Sequence, residues 1–192
     1  MGEPRRHEAI LNLPNSLTFL RLLSVPVVVI CLYLPGRWGS FLAAFLVGAA
    51  FATDFLDGFL ARKYQAVTVL GKLLDPLADK ILVCVTLIAL VSFGRIPAWM
   101  VMFVIAREIA VTGLRGIAAA EGLVIQASVL GKYKTVFQAV AVSSLCLHYE
   151  YFTIDFHEVG LVLFWIALMF TVWSGWAYFT GFRRVFSPVR RP

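Results

Sequence analysis

Apolar residues along the chain gather into six long runs separated by short polar breaks. They lie near Leu17–Leu34, Trp38–Leu60, Pro76–Phe93, Pro97–Ala120, Val136–Tyr149 and Val159–Phe179. A helix rising about 1.5 Å per residue needs about 20 such residues to cross a bilayer. The fifth run falls short of this unless its helix starts as early as Lys132. The breaks are turn chemistry or charge: Pro35-Gly36, the stretch from Gly94 to Pro97, and the acidic segment from Glu150 to Glu158. Pro26 lies inside the first run, where neighbouring helices can satisfy the carbonyl that a proline frees. The pattern predicts an all-α polytopic membrane protein of about six transmembrane helices, forming a single domain over residues 1–192, with no internal repeat.

Charge orients these runs. With the N-terminus inside, the inner loops and helix ends hold Arg5, Arg6, Arg21, Arg62, Lys63, Lys72, Lys80, Arg107, Arg115, Lys132, Lys134, Arg183, Arg184, Arg190 and Arg191. Only Arg37 and Arg95 fall outside, a split of 15 to 2 among the 17 basic residues. Basic residues concentrate on the cytoplasmic side of membrane proteins, so both termini are expected there. The first run is expected to be retained. No small-residue cleavage site precedes Pro35-Gly36-Arg37, and Pro14-Asn15 interrupts the leader. Arg6 stands where an N-myristoylation signal needs Ser or Thr.

Composition narrows the picture further. With 60% apolar and only 15% charged residues, 192 positions leave no room for a separate soluble domain. Cys31, Cys84 and Cys146 sit inside apolar runs at unrelated spacings and read as small hydrophobes. His7, His148 and His157 are too scattered to form a ligand set. The basic excess follows the inner loops, which points to anionic lipid or an anionic substrate and away from nucleic acid.

The acidic residues are more telling. Four of the eleven crowd between Thr53 and Lys80. Asp54 and Asp57 are three apart near the inner end of the second run, and Asp75 and Asp79 are four apart at the start of the third. Those intervals place each pair on one helix face. Counted at 1.5 Å per residue, Asp54 and Asp79 lie about 20 Å and about 21 Å in from the outer side, and Asp57 and Asp75 about 24 Å and about 27 Å. All four reach the inner half of the bilayer, so they are able to converge. Like charges in a low-dielectric setting repel and drift toward neutrality unless something positive holds them ionised. A hard divalent cation such as Mg²⁺ suits clustered carboxylate oxygens, and two ions about 4 Å apart would clamp a phosphate. A structural alternative stands beside this: Asp75 before Pro76 is also the pattern of a helix N-cap.

Small residues share the stripe. Asp54, Asp57, Gly58 and Ala61 occupy i, i+3, i+4 and i+7, and Gly71 precedes Asp75 by four. Such a groove serves helix packing in membranes. It equally admits a flat ring or a phosphate against the backbone.

Written out, Asp54-x2-Asp57-Gly58-x2-Ala61-Arg62-x8-Gly71-x3-Asp75-x3-Asp79 resembles the signature of the CDP-alcohol phosphatidyltransferases, integral-membrane enzymes of phospholipid synthesis. The resemblance implies that Asp54, Asp57, Asp75 and Asp79 ligate Mg²⁺ or Mn²⁺, two ions, and that Asp79 also serves as general base. It implies that Gly58, Ala61 and Arg62 receive the CDP part of CDP-diacylglycerol, with Thr68 and Gly71 in the same segment. The opening Asn12-Leu13-Pro14-Asn15-Ser16-Leu17-Thr18-x2-Arg21 resembles the branch of the family that acts on glycerol 3-phosphate, and adds Asn15 and Thr18 to the donor set. So do Arg107-Glu108-x3-Thr112-Gly113-Leu114-Arg115 and Gly131-Lys132-x-Lys134-Thr135. They imply an acceptor site made by Arg107, Thr112, Arg115, Lys132, Lys134 and Thr135.

The basic residues make sense physically as well. Arg107 lies about 15 Å from Pro97, near mid-membrane, where an unpaired guanidinium is costly and is expected to face a polar cavity. Glu108 is not assumed to be its partner, because adjacent helical residues point different ways. Arg115, Lys132 and Lys134 lie near the inner surface, where arginine offers a phosphate two parallel hydrogen bonds. The lysines alternatively meet only anionic headgroups.

The expected activity is transfer of a phosphatidyl group from CDP-diacylglycerol to glycerol 3-phosphate, with release of CMP, in a bacterial cytoplasmic membrane and on its inner side. Membrane lipid is a further partner, and a homodimer is compatible with the sequence. The alternatives are another acceptor (inositol phosphate, phosphatidylglycerol or serine) or a divalent-cation transporter. Transport needs a path open to both faces, and the ionisable groups lie almost wholly in the inner half.

Overall fold

A computed structural model describes residues 13–64, 69–120 and 129–186, with side chains described at all of these except 13–17, 54–64, 69–76, 120, 129, 130, 132 and 181–186. Its elements are α1 (Leu13–Tyr33), α2 (Arg37–Tyr64), α3 (Val69–Ser92), α4 (Ala98–Ala120), α5 (Val129–Leu147), a two-stranded hairpin β1 (Glu150–Tyr151) and β2 (Ile154–Asp155), and α6 (Phe156–Phe186). Six helices were expected, and six occur among the described residues. α5 begins at Val129, ahead of Lys132, while its apolar stretch is Tyr133–Leu147. α1 runs through Pro26 without a break. α3 begins at Val69, so Asp75-Pro76 lies inside a helix and the N-cap alternative fails.

The chain divides into two compact units, Met1–Thr86 and Leu87–Pro192, with the boundary inside α3. In the first, α1 packs on α2. The turn between them is tight: Gly36 takes φ +89°, and a Cβ on Gly39 would lie 2.5 Å from the Cys31 carbonyl oxygen. Glycine alone tolerates both demands, the first because it has no Cβ to clash at positive φ. Val28, Ala43 and Val47 are buried between these helices.

In the second unit α6 is the central element, packing on both α5 and α4. Gly160 lets α6 approach α5 so closely that a Cβ there would sit 2.8 Å from Leu145 Cγ. The Phe170 ring stacks on Phe137 at 5.6 Å and on Tyr133 at 6.2 Å. Trp99 of α4 meets Trp165 of α6 edge-on at 5.4 Å. Leu145, Phe164 and Val142 fill the core. The hairpin was not foreseen in the acidic break. It pairs Glu150 with Asp155 and Tyr151 with Ile154, and its turn residues Phe152 and Thr153 both take positive φ, as the right-handed strand twist favours. Asp155 then caps α6, its Oδ1 accepting from the amides of His157 at 2.8 Å and Glu158 at 3.3 Å.

The outward faces are apolar. Leu23, Phe45, Ile88, Phe103, Met169, Trp173 and Trp176 are all exposed, along with many others on every helix. Water-soluble monomers rarely show apolar patches so extensive, whereas lipid-facing helices do. Among the described residues the stretch Phe156–Thr180 is long and apolar enough to span a bilayer, and Thr18–Tyr33, Arg37–Thr53 and Tyr133–Leu147 are shorter apolar stretches.

Candidate active site

The site residues expected from sequence fall in both units, and each unit has its own chemistry.

In the first, Asp54 and Asp57 ride on α2, whose helix continues to Tyr64. Asp75 and Asp79 ride on α3. Continuous helix on both sides means that the intervals of three and four are true same-face intervals. Four residues of sequence join the two helices. Asp79 and Lys80 are half-buried. Thr68 lies outside the described residues, and so do the side chains of Asp54, Asp57, Asp75, Asn15, Gly58, Ala61, Arg62 and Gly71. Thr18 is buried on α1. Among the described residues no three His, Cys, Asp or Glu side chains meet to hold a metal, and three of the four aspartates stand outside that set. The donor set itself, four carboxylates at helical intervals, fits a hard divalent cation.

In the second unit the described side chains form a connected polar knot. Arg107 on α4 donates from Nη1 to Glu108 Oε1 at 2.9 Å and from Nη2 to Ser174 Oγ on α6 at 2.7 Å. Lys134 on α5 also donates to Glu108 Oε1. The adjacency that argued against an Arg107–Glu108 pair does not prevent it, since the long arginine side chain folds back to reach the carboxylate. These groups are largely sequestered, with the side chains of Arg107, Glu108 and Lys134 at 14%, 16% and 7% exposure. About two turns further along α4, Arg115 donates to the Tyr178 hydroxyl and lies over its ring at 4.8 Å. The Arg107 guanidinium lies 5.9 Å from the same ring. Tyr178 is thus a buried plate shared by two cations, a cation–π arrangement.

The charge count matters. Among the described side chains of the knot, Arg107, Arg115 and Lys134 contribute three positive charges and Glu108 one negative, leaving two. Arg107 Nε is buried and has no hydrogen-bond partner among the described residues. A buried donor left unmet costs free energy, so this nitrogen is ready for an acceptor atom. A phosphate monoester carries close to two negative charges at neutral pH and three strong acceptor oxygens. Thr112 and Thr135 are exposed and give their hydroxyl protons to the carbonyls of Glu108 at 2.6 Å and Gly131 at 3.0 Å, each one helical turn back. The Lys132 side chain lies outside those described.

Three residues of this knot were missed in the sequence. Ser174 and Tyr178 on α6 orient the arginines, and Gly175 makes room, since a Cβ there would press on Arg107 Cγ at 3.3 Å. Thr171, Ser174 and Tyr178 recur at intervals of three and four inside an otherwise apolar run, and that polar stripe was the available signal.

A mostly helical chain with apolar outer faces, four carboxylates at helical intervals and a knot that is net cationic among its described side chains has the makings of a membrane enzyme that handles phosphates. The comparisons agree. Residues 11–173 match the profile of the CDP-alcohol phosphatidyltransferases. The chain belongs to that family. It is similar to the CDP-diacylglycerol–glycerol-3-phosphate 3-phosphatidyltransferase of Bacillus subtilis, with 46% identity over 184 residues, 88% of this chain and 94% of the relative. The enzymes of the same name from Rickettsia bellii and Shigella flexneri serotype 5b are 38% and 36% identical, covering 91% and 90% of this chain and 97% and 95% of theirs.

Proposed function

We propose that this chain transfers the phosphatidyl group of CDP-diacylglycerol to glycerol 3-phosphate, giving phosphatidylglycerophosphate and CMP. The observation that carries the reading is the run of Asp54, Asp57, Asp75 and Asp79 at helical intervals, on helices that the structure shows to be continuous. The family match and the names of its relatives support the reaction.

Asp54, Asp57, Asp75 and Asp79 would hold two divalent ions, Mg²⁺ or Mn²⁺. Such ions supply charge neutralisation for a pyrophosphate and for the CMP that leaves. Gly58, Ala61, Arg62, Thr68 and Gly71 receive the CDP moiety, with Asn15 and Thr18 beside them. Arg107, Arg115 and Lys134 bind the acceptor's phosphate, assisted by Lys132, Thr112 and Thr135. The Asp79 carboxylate takes the proton from the acceptor hydroxyl. That oxygen forms a bond to the β-phosphorus as the bond from this phosphorus to the bridging oxygen breaks, and CMP departs with the electron pair. General-base help of this sort is worth about 100-fold to 10,000-fold in rate. The net charge of the basic knot is what favours a phosphorylated acceptor over serine or phosphatidylglycerol.

We read all six helices as membrane-spanning, with both termini and the site on the cytoplasmic side of a bacterial inner membrane and the whole chain as one functional domain. The inner-loop charge asymmetry supports this orientation. A homodimer is compatible with the reading.

The test is purified protein with CDP-diacylglycerol, Mg²⁺ or Mn²⁺ and a panel of acceptors, with CMP measured. Release is expected with glycerol 3-phosphate, and its loss by at least about 100-fold in Asp79→Asn, with the fold retained. Release only with inositol phosphate or serine, or full activity in the variant, overturns the assignment.

A further inference from the structure

Where α5 ends and α6 begins, far from the polar knot, the second unit carries another cluster. From Lys134 to the end of α5 at Leu147 is about 20 Å of helix. Beyond it the hairpin pairs Glu150 with Asp155. His148 stands two places before Glu150 and His157 two places after Asp155, so the same register sets the two histidines opposite each other. Their rings meet edge-on with centroids 4.9 Å apart. The distance along the sequence concealed a pairing that the hairpin makes. Both rings are carried on fixed backbone. His148 takes φ 60° as the chain leaves α5, and its amide still donates to the Ser144 carbonyl at 3.0 Å. The His157 amide is held on Asp155 Oδ1 at 2.8 Å.

The nitrogens are the telling feature. Nδ1 of His148 and Nδ1 of His157 are both buried and lack a hydrogen-bond partner among the described residues. An edge-on ring contact accounts for the distance but not for two unmet polar atoms, each of which costs free energy. A shared metal ion accounts for both. An imidazole nitrogen bound at about 2.1 Å puts its ring centre about 3.2 Å from the ion. Two rings on one ion, at angles from about 90° to about 110°, then have centres about 4.5 to about 5.2 Å apart. The observed separation lies inside that interval.

The surroundings suit a cation. Among the described residues at this end, Glu150, Asp155 and Glu158 are exposed carboxylates, and Arg95 is the one basic side chain that faces them. Arg95 donates to the Leu145 and Cys146 carbonyls. Burial first, then Arg95 and His157, hold the His148 imidazole below its ordinary range against an opposing pull from Asp155. A neutral imidazole offers its lone pair to a metal at pH 7. Imidazole suits zinc and copper, whereas magnesium and manganese prefer oxygen. Among the described residues no third His, Cys, Asp or Glu joins the pair, so water completes the coordination. Both histidines are half-buried, which leaves the ion a way in.

We propose that His148 and His157 form a two-nitrogen site for one late divalent transition-metal ion, Zn²⁺ or Cu²⁺, which clips the end of α5 to the start of α6. It differs from the acidic motif of α2 and α3 in ligand type, nitrogen against oxygen, and does not depend on how that motif is read.

The test uses Cu²⁺ as probe. An equimolar amount is added to the purified protein in excess Mg²⁺, which competes for oxygen sites, and pulsed electron paramagnetic resonance counts the coordinating imidazoles. Two on one ion are predicted. His148→Gln and His157→Gln should each leave one imidazole and weaken Cu²⁺ binding at least about 10-fold, since even the outer partners of a metal site are worth that much. His7→Gln should change nothing. A spectrum without imidazole coupling, a signal lost in His7→Gln, or one unaltered by both hairpin substitutions overturns the proposal. The count on the unaltered protein depends on no variant's folding. Thermal unfolding gives a second readout: Zn²⁺ should raise the midpoint of the unaltered protein and of neither hairpin variant, because an ion that binds only the folded state stabilises it. Equal rises in all three contradict the site.

Discussion

Two arginines of the second unit, Arg95 and Arg107, are both largely buried, yet they are satisfied in different ways. Arg95, in the loop between α3 and α4, donates to main-chain carbonyls at the end of α5: Cys146 at 2.7 Å and Leu145 at 3.4 Å. It ties one helix end to the next connection, and its partners are fixed by the fold. Arg107 instead meets side chains, Glu108 and Ser174, lies near the Tyr178 ring, and keeps a buried Nε with no hydrogen-bond partner among the described residues. Main-chain carbonyls make a clasp. A carboxylate, a hydroxyl and an aromatic plate make a holder with capacity left over. Burial alone does not distinguish Arg95 from Arg107, for which acceptor binding is proposed; the kind of partner does.

The sharpest way to break this comparison is to remove each charge in turn. Arg107→Gln should raise the KM for glycerol 3-phosphate about 30-fold, as expected when one charge-assisted hydrogen bond is lost, and leave the donor KM near its original value. Steady-state kinetics on both substrates checks this. Arg95→Gln should do the opposite, lowering stability by about 2 kcal/mol in detergent unfolding by stranding carbonyls at the α5 terminus, with little change in either KM. If the two variants behaved alike, the distinction would be lost.

Tyr178→Phe refines the functional side. It removes the hydroxyl that Arg115 grips and keeps the ring beneath both guanidinium groups, so the acceptor KM should rise only about fivefold, the worth of one hydrogen bond. The smallest effect sharpens the structural side. His148, just past the end of α5, titrates below the ordinary imidazole range, first because burial disfavours its charged form and then because Arg95 and His157 stand nearby. A base whose folded pKa is depressed binds its proton more readily when unfolded. Its stabilising contribution is therefore complete above about pH 6.5 and is lost as pH falls through the lowered folded value. His148→Gln should flatten that part of the stability profile, measured by thermal unfolding between about pH 7 and pH 5.

The helices were legible because each is an apolar run bounded by Gly, Pro or charge. The extension of α5 back to Val129 was less so, because Lys132 and Lys134 disguise a helix that continues past its apolar part. The hairpin at Glu150–Asp155 was hidden because two-residue strands have no periodicity to read, and its turn uses Phe152 and Thr153 where Asn and Gly are the usual choice. The acidic stripe was legible because ionisable groups stand out in apolar sequence. Ser174, Gly175 and Tyr178 did not, because small and aromatic residues belong in any membrane helix and acquire meaning only when α4 is laid beside α6. The Arg107–Glu108 contact was discounted for a sound reason about adjacent residues, one that a side chain as long as arginine's can evade.

In the proposed function the carboxylates of α2 and α3 share divalent ions. Titration of the purified protein with Mn²⁺, followed by electron paramagnetic resonance, tests it most directly. Two bound ions with mutually broadened signals are predicted, with coupling lost in each of Asp54→Asn, Asp57→Asn, Asp75→Asn and Asp79→Asn. Manganese that fails to bind, or ions that bind independently and survive all four substitutions, would contradict the account.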